Sequence, residues 1–288
     1  MKISAVQTDI FLGAPDSNLR TLERHLVAEA SRGCELIVFP ECFVSGYCFG
    51  SKEEAILNAQ PLNGPFTESV VNLCSHNKCS AVFGMVERDQ DDIFNTAVLT
   101  GPQGIIGFYR KVHLPWLGVD RFTTPGNAPF RVFDINGVRV GMLICYDAGF
   151  PEAVRSLALD GADIVVLPTN WPPGAEQLAA HAINTRAMEN SIYFLAANRI
   201  GTERGFQFIG SSRICDTTGK TLVSADHRDE SVLRVSIDPD LARNKRITRV
   251  PGEHIIDRIA DRRPEMYGRL CEQHSFSRPG RDNDPAVN

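Results

Sequence analysis

The chain has 288 residues, 43% hydrophobic and 23% charged, a composition that can bury a sizeable core and gives no sign of low-complexity disorder. A net charge of −5 with scattered Lys and Arg excludes the basic footprint of a nucleic-acid binder, and no apolar run approaches the roughly 18 residues of a membrane span. Eight cysteines without a CxxC pair point to reduced thiols rather than a disulfide framework or a zinc site.

The opening residues, Met1-Lys2-Ile3-Ser4-Ala5-Val6, enter a strand with no signal-peptide pattern, so the expected compartment is the cytoplasm. After the turn Gly13-Ala14-Pro15-Asp16, Ser17 is expected to cap a helix whose apolar face is Leu19, Leu22, Leu26 and Ala30. Gly33 ends that helix, Glu35–Phe39 forms a buried strand, and Pro40 stops it. The tract from Cys42 to Pro65 reads as irregular except for a short helix over Lys52–Asn58. A helix over Phe66–Lys78 places Cys74 on the Phe66, Val70, Leu73 face, which argues against a metal reading of Cys74, His76 and Cys79. Strands follow over Ala81–Val86, Thr96–Thr100 and Gly104–Tyr109, then Phe130–Ile135 and Val138–Ile144 joined by the hairpin signal Asn136-Gly137. That last apolar run stops at Cys145, and Pro151-Glu152 opens a helix with Val154, Leu157 and Ala158 on one face. Cys145 is therefore expected at a strand-to-helix corner, where backbone N–H groups would favour a negative charge.

Beyond it, a helix over Ala175–Asn190 and strands over Ile192–Ala197, Phe208–Ile214, Thr221–Ser224 and Val232–Ile237 complete the pattern. Periodicity fades after about Arg243, and Ser275–Asn288 reads as a polar tail or arm. Two segments share one plan: Gly33-Cys34-Glu35-Leu36-Ile37-Val38-Phe39-Pro40 and Gly161-Ala162-Asp163-Ile164-Val165-Val166-Leu167-Pro168. Each has a glycine suited to a left-handed helix cap, an acid, four apolar residues and a proline. Two related halves follow, each a sheet with helices on its outer face.

Three polar residues stand at strand ends: Glu41, Lys111 and Cys145. A carboxylate, an amine and a thiol converging on one pocket would provide a base, a cation and a nucleophile for attack on a carbonyl or nitrile carbon. A Cys-His peptidase would need His113 or His181 beside Cys145, but neither comes with an orienting Asn or Asp in a recognisable pattern. A catalytically silent binding protein on the same fold is the other rival, and the presence of all three polar residues argues against it.

Phe39-Pro40-Glu41, Tyr109-Arg110-Lys111-Val112-His113-Leu114-Pro115 and Cys145-Tyr146-Asp147-Ala148-Gly149-Phe150-Pro151-Glu152 resemble, in order and spacing, the three motif blocks of the nitrilase superfamily of carbon–nitrogen hydrolases. The resemblance covers roughly residues 1–270, taken as one domain, with 271–288 as a C-terminal tail. It implies an α/β fold, a four-layer αββα sandwich of two pseudo-equivalent halves, with no metal or organic cofactor. It also implies a homodimer in which the layers of two subunits stack, Arg263-Pro264-Glu265-Met266-Tyr267 resembling the arm that crosses to the partner.

By the same resemblance Cys145 is the nucleophile, Glu41 the general base, and Lys111 with the Tyr146 backbone N–H the oxyanion donors. Many members carry a further glutamate after the lysine; Pro115-Trp116-Leu117-Gly118-Val119-Asp120-Arg121-Phe122 has none, and Asp120 is the candidate second acid. Cys145-Tyr146-Asp147, in place of the Cys-Trp-Glu of nitrile-cleaving members, resembles the amidase and carbamoylase branches. A small-molecule carboxamide is thus the expected substrate, with an N-carbamoyl amine as the alternative and a nitrile less favoured. Tyr47, Trp116, Asn170 and Trp171 are candidates to line the pocket. Arg186, Glu189, Asn190 and Arg199 resemble a structural ion-pair and capping set.

Overall fold

The computed structural model describes residues 1–281; residues 282–288 of the expected tail lie outside that range. The first half contains β1 (Lys2–Gln7), β2 (Leu36–Val38), β3 (Ser80–Asp89), β4 (Asp92–Gly101) and β5 (Gly104–Arg110), with helices α1 (Pro15–Ser31), α2 (Lys52–Asn58) and α3 (Pro65–Asn77). The second contains β6 (Val132–Ile135), β7 (Val138–Met142), β8 (Ile164–Thr169) and β9 (Tyr193–Asn198), with α4 (Pro151–Leu159) and α5 (Ile183–Asn190). A short hairpin, β10 (Thr202–Glu203) and β11 (Phe206–Gln207), precedes β12 (Arg213–Cys215), β13 (Thr221–Ser224) and β14 (Ser231–Ser236). Helix α6 (Pro239–Arg243) and the hairpin β15 (Arg246–Val250) and β16 (His254–Asp257) follow.

The duplicated segments occupy equivalent places. One sheet runs β14-β1-β2-β3-β4-β5 and the other β6-β7-β8-β9-β12-β13. Each has an antiparallel edge strand, three parallel strands and then two antiparallel ones. Gly33 and Gly161 both take the left-handed conformation, with φ of +81° and +86°, and turn the chain from α1 into β2 and from α4 into β8. A side chain there would meet the Cβ penalty of that region.

Strand alternation builds the layers. Ile3, Ala5, Leu36, Val38, Val82, Ala97 and Leu99 face the second sheet and share one buried cluster with Val140, Met142, Ile164 and Val166. Their neighbours Val6, Ile37, Phe39, Ala81, Phe83 and Val98 turn the other way, onto Leu22 and Leu26 of α1 and Val70 and Cys74 of α3. Val154 and Leu157 of α4 and Ile183 and Ala187 of α5 cover the outer side of the second sheet. The result is the αββα sandwich.

Several expected boundaries move. Helix α1 starts at Pro15, whose missing N–H costs nothing at that position, so Ser17 lies in the first turn and Ala14 is the cap residue, with no side-chain cap bond. The strand expected over Phe208–Ile214 shrinks to Arg213–Cys215, because Gly210 and Ser211 take positive φ. Past Arg243 the chain is not featureless: β15 and β16 pair as a mostly exposed ribbon.

Candidate active site

Glu41, Lys111 and Cys145 come from the ends of β2, β5 and β7, and all three are buried. Lys111 Nζ donates to Glu41 Oε1 at 2.8 Å and to Asp120 Oδ2 at 2.6 Å. Tyr47 Oη donates to the same Asp120 oxygen at 2.8 Å. Asn95, on β4, donates through Nδ2 to Glu41 Oε1 at 2.7 Å and to Asp120 Oδ1 at 2.9 Å. Two carboxylates and one ammonium removed from water would be costly alone, and this net of charge-assisted bonds offsets that cost. An ammonium has three donors; two are taken by the carboxylates, which leaves the third for a further partner. Burial pulls the Lys111 ammonium down, but Asp120 and Glu41 together outweigh it and hold its pKa well above the ordinary value. Lys111 is a fixed cation. Burial raises Glu41 above the usual carboxylate range, Lys111 opposing and Asp120 adding to the rise. Its second oxygen, Oε2, is buried with no hydrogen-bond partner among the described residues.

Cys145 opens a one-turn 3-10 helix, Cys145–Gly149, in the left-handed region at φ +47°, a strained conformation for a residue with a Cβ. Asp147 holds it there. Its carboxylate accepts from the backbone N–H of Ile144 (3.0 Å), from Tyr109 Oη (2.9 Å) and from the backbone N–H of His113 (3.1 Å). The corner that carries the thiol is thereby stapled to the loop that carries Lys111. Arg186 completes the clamp, donating to the carbonyl oxygens of Ala148 and Gly149 at 3.1 and 3.3 Å.

The thiol does not behave as the corner position suggested. Burial and the charge of Glu41 push it up to about 12, with Lys111, the Thr169 hydroxyl and the Asn170 backbone N–H pulling the other way. Desolvation thus outweighs the favourable N–H groups, and the resting group is a neutral thiol. The Tyr146 N–H lies in the first turn of the 3-10 helix, where a backbone donor lacks an intrahelical acceptor.

The other candidates separate. Asn170 donates to the Glu41 carbonyl at 3.0 Å, and its Oδ1, like Trp171 Nε1, is buried without a partner among the described residues. Trp116 is 40% exposed and borders a cavity of about 390 Å³ lined also by Val112, His113, Tyr146 and Phe150 and, from the C-terminal segment, by His274 and Arg281. Arg281 donates to the carbonyls of Leu114 and Asp120, both at 2.7 Å, so the described end of the expected tail, up to Arg281, is seated against the site. Tyr47 donates its hydroxyl proton to Asp120 and its ring packs on Gly118, so it supports the second acid from behind. His113 Nδ1 is 2.7 Å from Asp147 and its ring stacks on Phe150, while His181 is exposed; neither has a hydrogen bond to Cys145 among the described residues. Arg199 pairs with Asp9 and Glu203, and Glu203 accepts from the N–H groups of Tyr47 and Cys48. Arg199 is a scaffold for the Glu41 loop.

Sequence reasoning missed Asn95, Tyr109 and Asp147. The signal for the first was present: Asn95-Thr96 interrupts an otherwise apolar run, Ile93–Leu99, and a polar pair inside a buried strand must be satisfied by something.

The Glu41 loop also depends on an absent side chain. A Cβ on Gly84 would lie 2.6 Å from the Cα and 2.7 Å from the carbonyl carbon of Glu41, backbone atoms that cannot rotate away. Gly84→Ala is expected to cost about 1–3 kcal/mol of stability by overpacking. Displacing Glu41 by even part of an ångström should also lower turnover by up to about 100-fold. Thermal melting together with steady-state kinetics checks both, and an alanine variant with native melting and rate would refute the close-approach argument.

An αββα sandwich with an acid, a lysine and a cysteine gathered at its strand ends is the architecture of an enzyme that hydrolyses carbon–nitrogen bonds other than peptide bonds. The carbon-nitrogen hydrolase family model matches residues 2–247, and the chain belongs to that family. It is 39% identical over 271 residues to a nitrilase of Pyrococcus abyssi, covering 93% of this chain and 100% of that one. An (R)-stereoselective amidase of a Pseudomonas species is 34% identical over 274 residues, covering 94% and 95%. N-carbamoylputrescine amidase of Solanum lycopersicum is 30% identical over 272 residues, covering 87% and 88%. Among solved structures, an amidase of Nesterenkonia sp. AN1 superposes with a TM-score of 0.72 at 25% identity, covering 85% of this chain and 96% of that one.

Proposed function

We propose that the protein is an amidase that hydrolyses a small carboxamide to its acid and ammonia through a thioester on Cys145. The observation that carries this reading is the buried set of Lys111, Glu41 and the Cys145 thiol, in which the base keeps one oxygen unpartnered and the cation keeps one donor spare. Cys145 Sγ attacks the carbonyl carbon as its proton passes to Glu41 Oε2. The developing oxyanion takes the third Lys111 N–H and the Tyr146 N–H. Collapse breaks the C–N bond, Glu41 returns the proton to the leaving nitrogen, and ammonia departs. Glu41 then deprotonates a water, which attacks the thioester; the acid leaves and the thiol is restored. Asp120 fills the place of the second acid by holding Lys111 in line, which its reach of 2.6 Å supports. Asn170 and Trp171, with their unpartnered buried polar atoms, and Trp116 at the mouth are the side chains assigned to the substrate.

The test is ammonia release across short aliphatic amides, ω-amides, N-carbamoyl amines and nitriles. Amides should yield acid and ammonia in equal amounts. Carbon dioxide and an amine accompanying the ammonia would select the carbamoyl reading, which the identity to N-carbamoylputrescine amidase favours as runner-up. Turnover of nitriles alone would overturn the amidase assignment.

A further inference from the structure

We propose that Asn95 is a positioning residue of this reaction, a neutral two-pronged donor that sets Glu41 and Asp120 in fixed relation, and that the Cys42 thiol fixes the direction in which its amide points. The inference rests on Glu41 being the base. An amide NH2 carries two hydrogens, and here each goes to a different carboxylate, Glu41 Oε1 at 2.7 Å and Asp120 Oδ1 at 2.9 Å. The amide oxygen accepts from Cys42 Sγ at 3.5 Å. Reversing the amide would turn its oxygen onto two carboxylate oxygens and its NH2 onto a thiol, so the flip is decided by the partners. Cys42 is buried and held far above the ordinary thiol range, by burial first and then by the charges of Glu41 and Asp120. It remains an S–H donor at every working pH.

The groups facing Glu41 come from four elements: Lys111 beyond β5, Asp120 on the 3-10 turn Gly118–Arg121 with Tyr47 behind it, Cys145 beyond β7, and Asn95 on β4. Lys111 alone must balance both carboxylates, and a donor without charge between them adds attraction to each without adding a proton that can move. A carboxylate at this position would place three anions round one ammonium. A water there would satisfy the oxygens but not hold them. By occupying Oε1 together with Lys111, Asn95 also leaves Oε2 as the oxygen free to receive the thiol proton. Its bond favours the ionised carboxylate, so removing it should raise the pH at which Glu41 becomes a base.

The experiment is the pH profile of Asn95→Leu, which keeps the volume and removes both donors. It is read in two ways: as kcat/KM for the best amide, and as the rate of Cys145 alkylation by iodoacetamide, followed on the Cys145 peptide by mass spectrometry. The second readout needs no substrate, so a failure of the amidase reading and a failure of this inference remain distinguishable. The expected result is a fall in kcat of about 10- to 100-fold with KM changed by less than about threefold, and an acid limb moved upward by about one pH unit in both readouts. Cys42→Ala, which removes only the donor to the amide oxygen, should move the limb in the same direction by less, and Cys42→Ser, which restores a donor, should return it. An acid limb unchanged in Asn95→Leu, whatever its rate, would reduce Asn95 to packing and overturn the proposal. Should the Leu variant fail to fold, an unmoved limb in Cys42→Ala decides the same way.

Discussion

Cys145→Ala is expected to abolish hydrolysis, with a loss of at least about 10⁴-fold, because no other group in the site can take over bond formation to carbon. Cys42, the cysteine next to Glu41 in the chain, is buried, bonded to Asn95 and held protonated. Among the described cysteines only Cys271 is exposed, and it lies in the C-terminal segment. The variant should fold normally, since it removes one buried sulfur and keeps the Asp147 staple. The wild-type pH profile belongs to the same argument. In the proposed mechanism the thiol, pushed up to about 12, gives up its proton only to an ionised Glu41, so kcat/KM should rise as the pH rises through the pKa of Glu41. Burial places that limb above the ordinary glutamate value. A thiol ionised in the resting enzyme would instead show alkylation independent of pH across that range. Ammonia release by purified Cys145→Ala, indistinguishable from the wild type, would remove the nucleophile assignment.

Lys111→Met is expected to strike both rate and fold. The side chain is of similar length and apolar, so packing survives while Glu41 and Asp120 lose their shared cation in a fully buried setting. Breaking a buried pair from one side costs about 3–5 kcal/mol, which for a chain of this size lowers the melting temperature on the order of 10 °C. Removing the proposed oxyanion donor should add a loss of about 10²–10³ in kcat. The stability deficit should depend on pH in a definite direction. Without Lys111 the Glu41 carboxyl, already raised by burial, ionises only at a pH raised further above its unfolded value. The folded variant therefore binds more protons than its unfolded chain between those two pH values, and it loses stability as the pH rises through that window. The gap to the wild type should be narrowest below the unfolded carboxylate pKa and full above the raised one. Melting curves from about pH 4 to pH 8 check this, and a gap that widens on acidification would contradict it.

Much of this was legible in the chain itself. Buried strands announce themselves as apolar runs, and Leu36–Val38 and Ile164–Thr169 were bounded on both sides by a glycine and by a proline in or just after the strand, because a helix must turn left-handed before the chain can enter the sheet. The equivalence of the two sheets followed from that repeated plan. Glu41, Lys111 and Cys145 stood out because charged or reactive side chains seldom end such runs without a use.

The rest depended on which strands become neighbours. Asp120 is one methylene shorter than glutamate, and nothing local says whether it reaches the lysine. The turn Gly118–Arg121 packed on Tyr47 brings it within 2.6 Å. Asn95 and Cys42 are separated by more than fifty residues and meet only because β4 lies beside β3, across which the Glu41 loop is laid. The Cys145 thiol is raised although its corner position favours a negative charge, since N–H groups are a local feature whereas desolvation is the work of every residue packed around the thiol. The sequence by itself determined the elements, their duplication and the three polar strand ends, all of which are written in short-range patterns. Only the tertiary structure decided the shared cation, the amide between the two carboxylates and the charge of the thiol, because each is a sum over groups distant in the chain and enclosed away from water.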